Sequence, residues 1–166
     1  ISLNLIMNSM PLVTSVRDSF FTVSSMITTT GFSTALFGDW PLFSQLILLI
    51  LMFVGGMAGS TAGGLKVSRV VLLIKSGWAE LKRVVRPNRI VTVQFEDKMM
   101  EEQALNKVYD YVIVYSSIFI LTMLLVSFET PDFISAFSTV AATINNIGPG
   151  LGIVGPAYNF SMYSPF

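Results

Sequence analysis

The chain of 166 residues contains neither cysteine nor histidine, and charged residues make up only 12% of it. Without cysteine, the sequence offers no disulfide framework, no thiol nucleophile and no cysteine-ligated zinc or iron–sulfur site. Without histidine, it lacks the usual general base and the commonest metal ligand. The net charge is zero, which argues against nucleic acid as a partner, because nucleic-acid binding needs clustered positive charge. Hydrophobic residues make up 52%, a composition that suits a lipid environment.

The few charges are distributed unevenly along the chain. Nine basic against five acidic residues give residues 66–107 a net charge of +4, and one basic against five acidic residues elsewhere gives −4. The uncharged stretches 40–65 and 111–128 have the length and apolar content of membrane helices. Because positive segments face the cytoplasm, we expect a multi-pass inner (plasma) membrane protein with 66–107 inside. A large soluble protein with two buried helices is the disfavoured alternative, since it would expose more charge.

Two further uncharged stretches resemble each other at an offset of 117 residues. Residues 17–32 align with residues 134–149, with five identities in sixteen positions and small residues matched between them. The identical pairs are Phe20 and Phe137, Thr22 and Thr139, Val23 and Val140, Ile27 and Ile144, and Gly31 and Gly148. Each copy predicts a helix of about 10–12 residues that begins near an acidic residue, Asp18 or Asp132, and ends at a glycine. Such short, polar helices cannot face lipid, so we expect re-entrant segments that enter from the outer face.

Re-entrant segments of this kind can bind a cation. A helix that ends inside the membrane directs its negative dipole end there, and the extended backbone after it can present carbonyl oxygens. Rings of carbonyls replace the hydration shell of potassium in selective pores, and glycine permits the backbone to turn them inward. The candidate residues are Thr28, Thr29, Thr30, Gly31 and Phe32, and Asn145, Asn146, Ile147, Gly148 and Pro149. Polar packing between helices and a flexible loop are the alternatives for the two sets.

A glycine-rich run should break the helix that follows Pro41. Residues 55–64 contain five glycines in ten positions, and each glycine costs about 1 kcal/mol inside a helix relative to alanine. Helical periodicity resumes at Leu65 and continues to about Val85. The run is not a phosphate-binding loop, because Leu65 stands where that motif needs lysine. A small-residue packing face between helices remains an alternative.

Three motifs in this order resemble the third and fourth pore repeats of the Trk/Ktr/HKT superfamily of potassium transporters, most closely the bacterial Trk membrane subunit. They are residues 28–32, 55–69 and 145–152. The resemblance implies an all-α membrane protein with tandem helix, re-entrant pore helix, filter and helix repeats of potassium-channel type. One of its membrane helices would be broken by the Gly-rich loop.

The resemblance also implies roles for the individual residues. Potassium, the transported ion, would be bound by the backbone carbonyls of the two filter segments, and no other cofactor or enzymatic step is implied. A gate loop beneath the filter would comprise Gly55, Gly56, Gly59, Ser60, Thr61, Gly63 and Gly64. Lys66 and Arg69 flank it. Their positive charges would lie near the inner pore or anchor the loop, or else they mark the border between membrane and cytoplasm.

The organisation expected from this resemblance is a third repeat over 1–86, a cytoplasmic connector over 87–106 and a fourth repeat over 107–166, truncated before its last helix. Expected partners are membrane lipid, the first and second repeats of the same polypeptide, a second copy in a homodimer and a nucleotide-binding regulatory subunit at the cytoplasmic face. Four acidic residues would lie at the outer side, near the loops that flank the filter. We expect Asp39 and Glu129 to line the outer mouth, and Asp18 and Asp132 to cap helices. The expected function is potassium uptake, and the alternative is a non-conducting scaffold or accessory subunit.

Overall fold

The computed structural model describes residues 1–57, 59–85, 94–95, 98–100 and 102–163 of the chain. The six α-helices in these ranges are α1 (Ser2–Met7), α2 (Leu12–Ile27), α3 (Leu42–Phe53), α4 (Val67–Val85), α5 (Glu102–Val126) and α6 (Phe133–Ile144). Two-residue strands pair in parallel as β1 (Val54–Gly55) with β2 (Leu65–Lys66), and antiparallel as β3 (Gln94–Phe95) with β4 (Lys98–Met99). The prediction of a mainly helical protein is confirmed.

Helix α5 is the one helix within the described ranges that is long and apolar enough to cross a membrane, over Gln103–Val126. Helices α3 and α6 are apolar but shorter, with 12 residues each. The uncharged stretch 111–128 predicted this span, whereas α5 is already helical at Glu102 and ends at Val126. The mixed charged and apolar residues that precede Lys107 continue the helix with good helix formers, so the charge boundary does not mark its start.

The two candidate re-entrant helices begin differently. Helix α2 starts directly after Pro11 and has 16 residues, so the expected start near Asp18 and length of about 10–12 residues are wrong for this copy. Proline suits the start of a helix because its fixed φ is compatible with one and its missing N–H needs no partner there. Asp18 therefore lies in the middle of α2, where it is buried and accepts from the Arg17 Nε at 2.9 Å. The expectation that Asp18 caps a helix is wrong.

In the second copy the acidic cap is confirmed. Helix α6 has 12 residues, and the carboxylate of Asp132 accepts a hydrogen bond from the backbone N–H of Ser135 at 2.9 Å. An aspartate at the N-cap satisfies one of the amide groups that the first helical turn leaves without a partner. The sequence therefore placed this helix start correctly.

One apolar core joins the two halves of the chain. Its fully buried side chains come from both, and include Leu5, Met26, Phe37, Leu48, Met52 and Val140. The ring of Phe53, the last residue of α3, packs against Phe119 of α5 and Phe137 of α6 at centroid distances of 5.3 and 5.8 Å. The end of α3 is thereby packed against α5 and α6.

The connector after α4 is only partly within the described residues. Helix α4 extends to Val85, where the helical periodicity of the sequence also ends. The weakly alternating residues 90–95 predict a strand, and residues 96–98 predict the turn of a short hairpin with Met99 and Met100. The β3–β4 pair matches the last part of this hairpin, whereas residues 90–93 and 96–97 lie outside the described residues. The division into two repeats and a connector stays a prediction.

The Asp132 cap predicts a stability change that can be measured. Asp132→Ala removes the acceptor for the Ser135 amide and should lower the free energy of unfolding by about 1 kcal/mol. Asp132→Asn keeps a capping oxygen and is the matched control. Thermal unfolding of the full-length protein in detergent should show a lower midpoint for the alanine variant only. Equal midpoints for both variants would contradict the capping role.

Candidate functional site

The candidate filter segments begin at two helix ends with the same backbone conformation. Helix α2 ends at Ile27 and α6 at Ile144, which are 117 positions apart. Two residues later, Thr29 and Asn146 have positive φ values of 53° and 55°. Few residues other than glycine adopt this conformation. The sequence repeat is therefore also a repeat of backbone geometry.

The hydrogen bonds that close these helix ends match as well. The N–H of Thr30 donates to the carbonyl of Ser25 at 2.9 Å, and the N–H of Ile147 donates to that of Ala142 at 2.8 Å. This six-residue closure, with a left-handed residue inside it, is the Schellman motif. Asparagine tolerates the left-handed conformation, whereas a β-branched threonine at Thr29 is strained by it. Strain of this kind is typical of functional sites and costs on the order of 1–3 kcal/mol.

The two filter segments touch each other at Gly31. A Cβ atom at this position would overlap the carbonyl oxygen of Ile147 and lie 3.1 Å from Cδ of Pro149, and Gly31 also has a φ of 75°. Gly148 has a φ of 110°, but a Cβ there would meet nothing within 4 Å. Glycine is thus required at position 31 both because a side chain has no space and because φ is positive. At position 148 only the positive φ favours glycine.

The candidate filter residues differ in exposure. Thr28, Thr30, Asn146 and Gly148 lie at the surface of the chain, as does the ring of Phe32. In contrast, the side chains of Asn145 and Ile147 are buried. The open face of the two segments is therefore formed by alternate residues after each helix end.

Buried serines hold the backbone beyond the filters, and the sequence reasoning did not find them. Ser25 Oγ donates to the carbonyl of Phe32 at 2.6 Å. Ser138 Oγ both donates to the carbonyl of Leu151 and accepts from its N–H, each at 3.0 Å. Ser135 Oγ accepts from the N–H of Ile153 at 3.2 Å. Serines on the inner face of an otherwise apolar helix were the available signal.

The Gly-rich run forms a closed loop rather than a helix. Strands β1 and β2 pair at its base, and a Cβ atom at Gly55 would overlap the carbonyl oxygen of Gly63. Lys66 Nζ donates to the carbonyls of Ser60 and Ala62 at 2.8 and 2.5 Å. Of the roles weighed for Lys66, these contacts match an anchor for the loop.

The other flanking cation contacts a neighbouring helix. The guanidinium of Arg69 lies over the ring of Tyr111 on α5, 4.0 Å from its centroid. A cation over an aromatic face is held by the ring quadrupole. Arg69 therefore links the first turn of α4 to α5.

The loop contacts both candidate filter segments at Gly63. Its N–H donates to Thr29 Oγ1 at 3.3 Å, and a Cβ atom at Gly63 would overlap the carbonyl oxygen of Asn145. The side chain of Asn145 donates from Nδ2 to the carbonyl of Ala141 at 2.8 Å and accepts from Tyr115 Oη at 2.7 Å. Tyr115, a polar group in the apolar α5, is a further residue that the sequence reasoning missed.

Asp39 is one of the acidic residues predicted to line the outer mouth. Asp39 is exposed on a 3-10 turn that Gln45 holds by donating to the carbonyls of Gly38 and Trp40 at 2.6 and 2.8 Å. It lines a cleft of about 260 Å³ together with residues of the second exit segment, including Gly152 and Tyr158. The cleft brings the segments that follow the two candidate filters together at one side of the chain.

The chain matches a family of known proteins over most of its length. Residues 3–163 match the family model described as TrkH, cation transport protein. The chain belongs to this family. It is similar to the Trk system potassium uptake protein TrkH of Salmonella typhimurium, with 44% identity over 153 residues. It is also similar to the protein of that name from Escherichia coli K12, with 45% identity over 150 residues.

The similarity extends to a solved structure. The crystal structure of the potassium transporter TrkH from Vibrio parahaemolyticus superposes with a TM-score of 0.86 at 40% sequence identity. The alignment covers 96% of this chain and 34% of that one. The matches cover 92% and 90% of this chain for the Salmonella and Escherichia proteins, but 31% of each of them. The chain thus spans about a third of the length of these TrkH relatives.

The Gly63 contact predicts a position where alanine is not accepted. Gly63→Ala would force its Cβ atom into the Asn145 carbonyl, and overpacking of this kind costs about 1–3 kcal/mol. Gly77→Ala is the control, because Gly77 lies in α4 with open space around it and alanine favours a helix. Thermal unfolding of the full-length protein should show destabilisation for the first variant only. A Gly63→Ala midpoint equal to that of the unchanged protein would refute the contact.

Proposed function

We propose that this chain forms part of a potassium uptake pathway across the plasma (inner) membrane, with a carbonyl-lined selectivity filter and a Gly-rich intramembrane gate. One observation carries the proposal: the same left-handed helix termination recurs at an offset of 117 residues, and the two copies adjoin at Gly31 and Ile147. Two copies of one backbone geometry at a shared contact are what a pore built from repeats requires.

The proposed ion ligands are backbone oxygens of residues 28–32 and 145–149. Helices α2 and α6 direct their C-terminal ends, with partial negative charge, towards these segments, which favours a cation there. Thr30 and Asn146 belong to the open face, whereas the Asn145 amide is buried against Ala141 and Tyr115. We therefore assign the ion to the backbone of these segments and not to the Asn145 side chain.

The proposed gate is the loop of residues 55–64. It rests against Thr29 of one filter helix and Asn145 of the other, so that its displacement would change the environment of both filter segments. Its small side chains allow it to move without repacking large groups. The loop is fixed at one side by Lys66, whose amine holds two of its carbonyls.

The chain spans about a third of the length of the TrkH relatives, and the remaining elements of the proposal concern a whole protein of that kind. The first and second repeats of the same polypeptide would complete the pore within membrane lipid, with residues 66–107 cytoplasmic and the filter mouths facing outward. The assembly would be a homodimer that docks a nucleotide-binding regulatory subunit. The names of the relatives, Trk system potassium uptake proteins, support transport without an enzymatic step. A non-conducting scaffold, the alternative, gives no reason for a strained Thr29.

The filter assignment predicts a sharp difference between two neighbouring glycines. Gly31→Ala would combine a left-handed φ with overlap of the Ile147 carbonyl, and should lower potassium uptake by more than about tenfold. Gly38→Ala is the control, since that position has open space and no positive φ. Uptake should be measured with the full-length protein in a strain that lacks other potassium uptake systems. Normal selective uptake by the Gly31 variant would defeat the filter assignment.

A substitution at Gly148 tests the effect of backbone strain without steric overlap. Gly148→Ala meets no neighbouring atom, so only the φ of 110° opposes it, and we expect a smaller loss of uptake than at Gly31. A bulky substitution at Gly148 on this open face should abolish uptake or its preference for potassium. The same strain and a competition assay with sodium measure both effects. An alanine variant at Gly148 that is more harmful than the one at Gly31 would contradict this order.

A further inference from the structure

The amide of Asn145 has one orientation that satisfies its surroundings. One side-chain atom lies 2.8 Å from the carbonyl oxygen of Ala141, which can only accept a hydrogen bond, so this atom is the donor Nδ2. The other atom is then the acceptor Oδ1, and it lies 2.7 Å from the hydroxyl of Tyr115. Tyr115 must therefore donate. Asn145 is fully buried, so within the chain no solvent can replace this donor.

The same oxygen faces the Gly-rich loop. A Cβ atom at Gly64 would lie 3.1 Å from Asn145 Oδ1, and Gly63 packs directly against the Asn145 backbone. The loop therefore rests on a residue whose buried acceptor oxygen has the hydroxyl of Tyr115 as its donor. A rotation of the Asn145 amide would place the larger NH2 group, with two hydrogens, towards the loop backbone.

Tyr115 is itself held by residues at both ends of the loop. Phe53, which precedes the loop, packs edge-on against the Tyr115 ring with centroids 6.5 Å apart. The ring of Tyr111 stacks on the ring of Tyr115, with their centroids 6.2 Å apart. The guanidinium of Arg69, which follows the loop, lies over the Tyr111 ring. The aromatic pair on α5 thus contacts the residues where the chain enters and leaves the loop region.

We propose that Tyr115 is a positioning residue that holds the Gly-rich loop in its seated position, acting through the amide of Asn145. The inference deepens the proposed function, on which it rests in treating the seated loop as the closed gate. Tyr115 does not touch the ion in this role. Its hydroxyl satisfies the Asn145 oxygen that faces the loop, and the loop in turn keeps its hydrogen bond to Thr29.

The test compares Tyr115→Phe with Tyr111→Phe in the full-length protein in lipid nanodiscs. The first substitution leaves a buried acceptor without its donor, and the second removes a hydroxyl from the stacked neighbour while keeping its ring. Hydrogen–deuterium exchange of a peptide covering the loop should accelerate in Tyr115→Phe by about five- to a hundredfold, the range that an unsatisfied buried acceptor corresponds to. Tyr111→Phe should match the unchanged protein. Equal protection in both variants would overturn the proposal.

A double variant keeps the test decisive if Tyr115→Phe does not fold. Tyr115→Phe combined with Asn145→Leu replaces both partners by apolar groups of similar shape, which can be nearly neutral for stability. The loop amides should still exchange faster than in the unchanged protein, because the hydrogen bond between Tyr115 and Asn145 behind the loop is gone. A loop as protected as in the unchanged protein would overturn the proposal.

Potassium flux distinguishes this inference from the function on which it rests. In liposomes, the full-length Tyr115→Phe protein should conduct more potassium than Tyr111→Phe under conditions that keep the unchanged protein closed, with the same preference for potassium over sodium. If no variant conducts under any condition, the proposed function fails, while the exchange data still decide whether Tyr115 seats the loop. Reduced flux together with unchanged loop exchange would overturn the positioning role alone.

Discussion

Direct packing of backbone on backbone is the constraint on which the candidate site depends. At Gly31, Gly55 and Gly63, a Cβ atom would overlap a carbonyl oxygen of another segment. These approaches bring together the two filter segments, the two limbs of the loop, and the loop with the second filter helix. Carbonyl oxygens held this closely leave no space for side chains, so glycine is required at each of these three positions.

The helix ends add a second source of rigidity. Thr29 and Asn146 both adopt the left-handed conformation, and both helices close with the same pair of backbone hydrogen bonds. Each copy thus places the C-terminal, negative end of a helix dipole at the start of a candidate filter segment. The copies are not equal, however. Thr29 accepts from the Gly63 N–H, whereas Asn145 packs against Gly63 and Gly64, so the loop contacts each copy in a different way.

Much of the fold could be predicted from residue patterns. The break of the helix after Phe53 follows from glycine content, and the cap at Asp132 follows from its place before an apolar helix. Asp18 shows the limit of such reasoning. Its position resembles that of Asp132, but Pro11 starts α2 earlier and leaves the carboxylate buried beside Arg17. A local acidic signal cannot reveal that a helix has already begun upstream.

The sequence by itself determined the uneven charge, the apolar helices, the repeat at 117 residues and the glycines that carry the site. These properties are local or periodic, so they can be read along the chain. Only the tertiary structure decided which glycines are required by contact, what Lys66 binds and that Tyr115 supports Asn145. Those answers depend on contacts that exist only in the folded chain. Tyr115 and Asn145 meet across 30 positions, and no spacing rule within one helix predicts such a meeting.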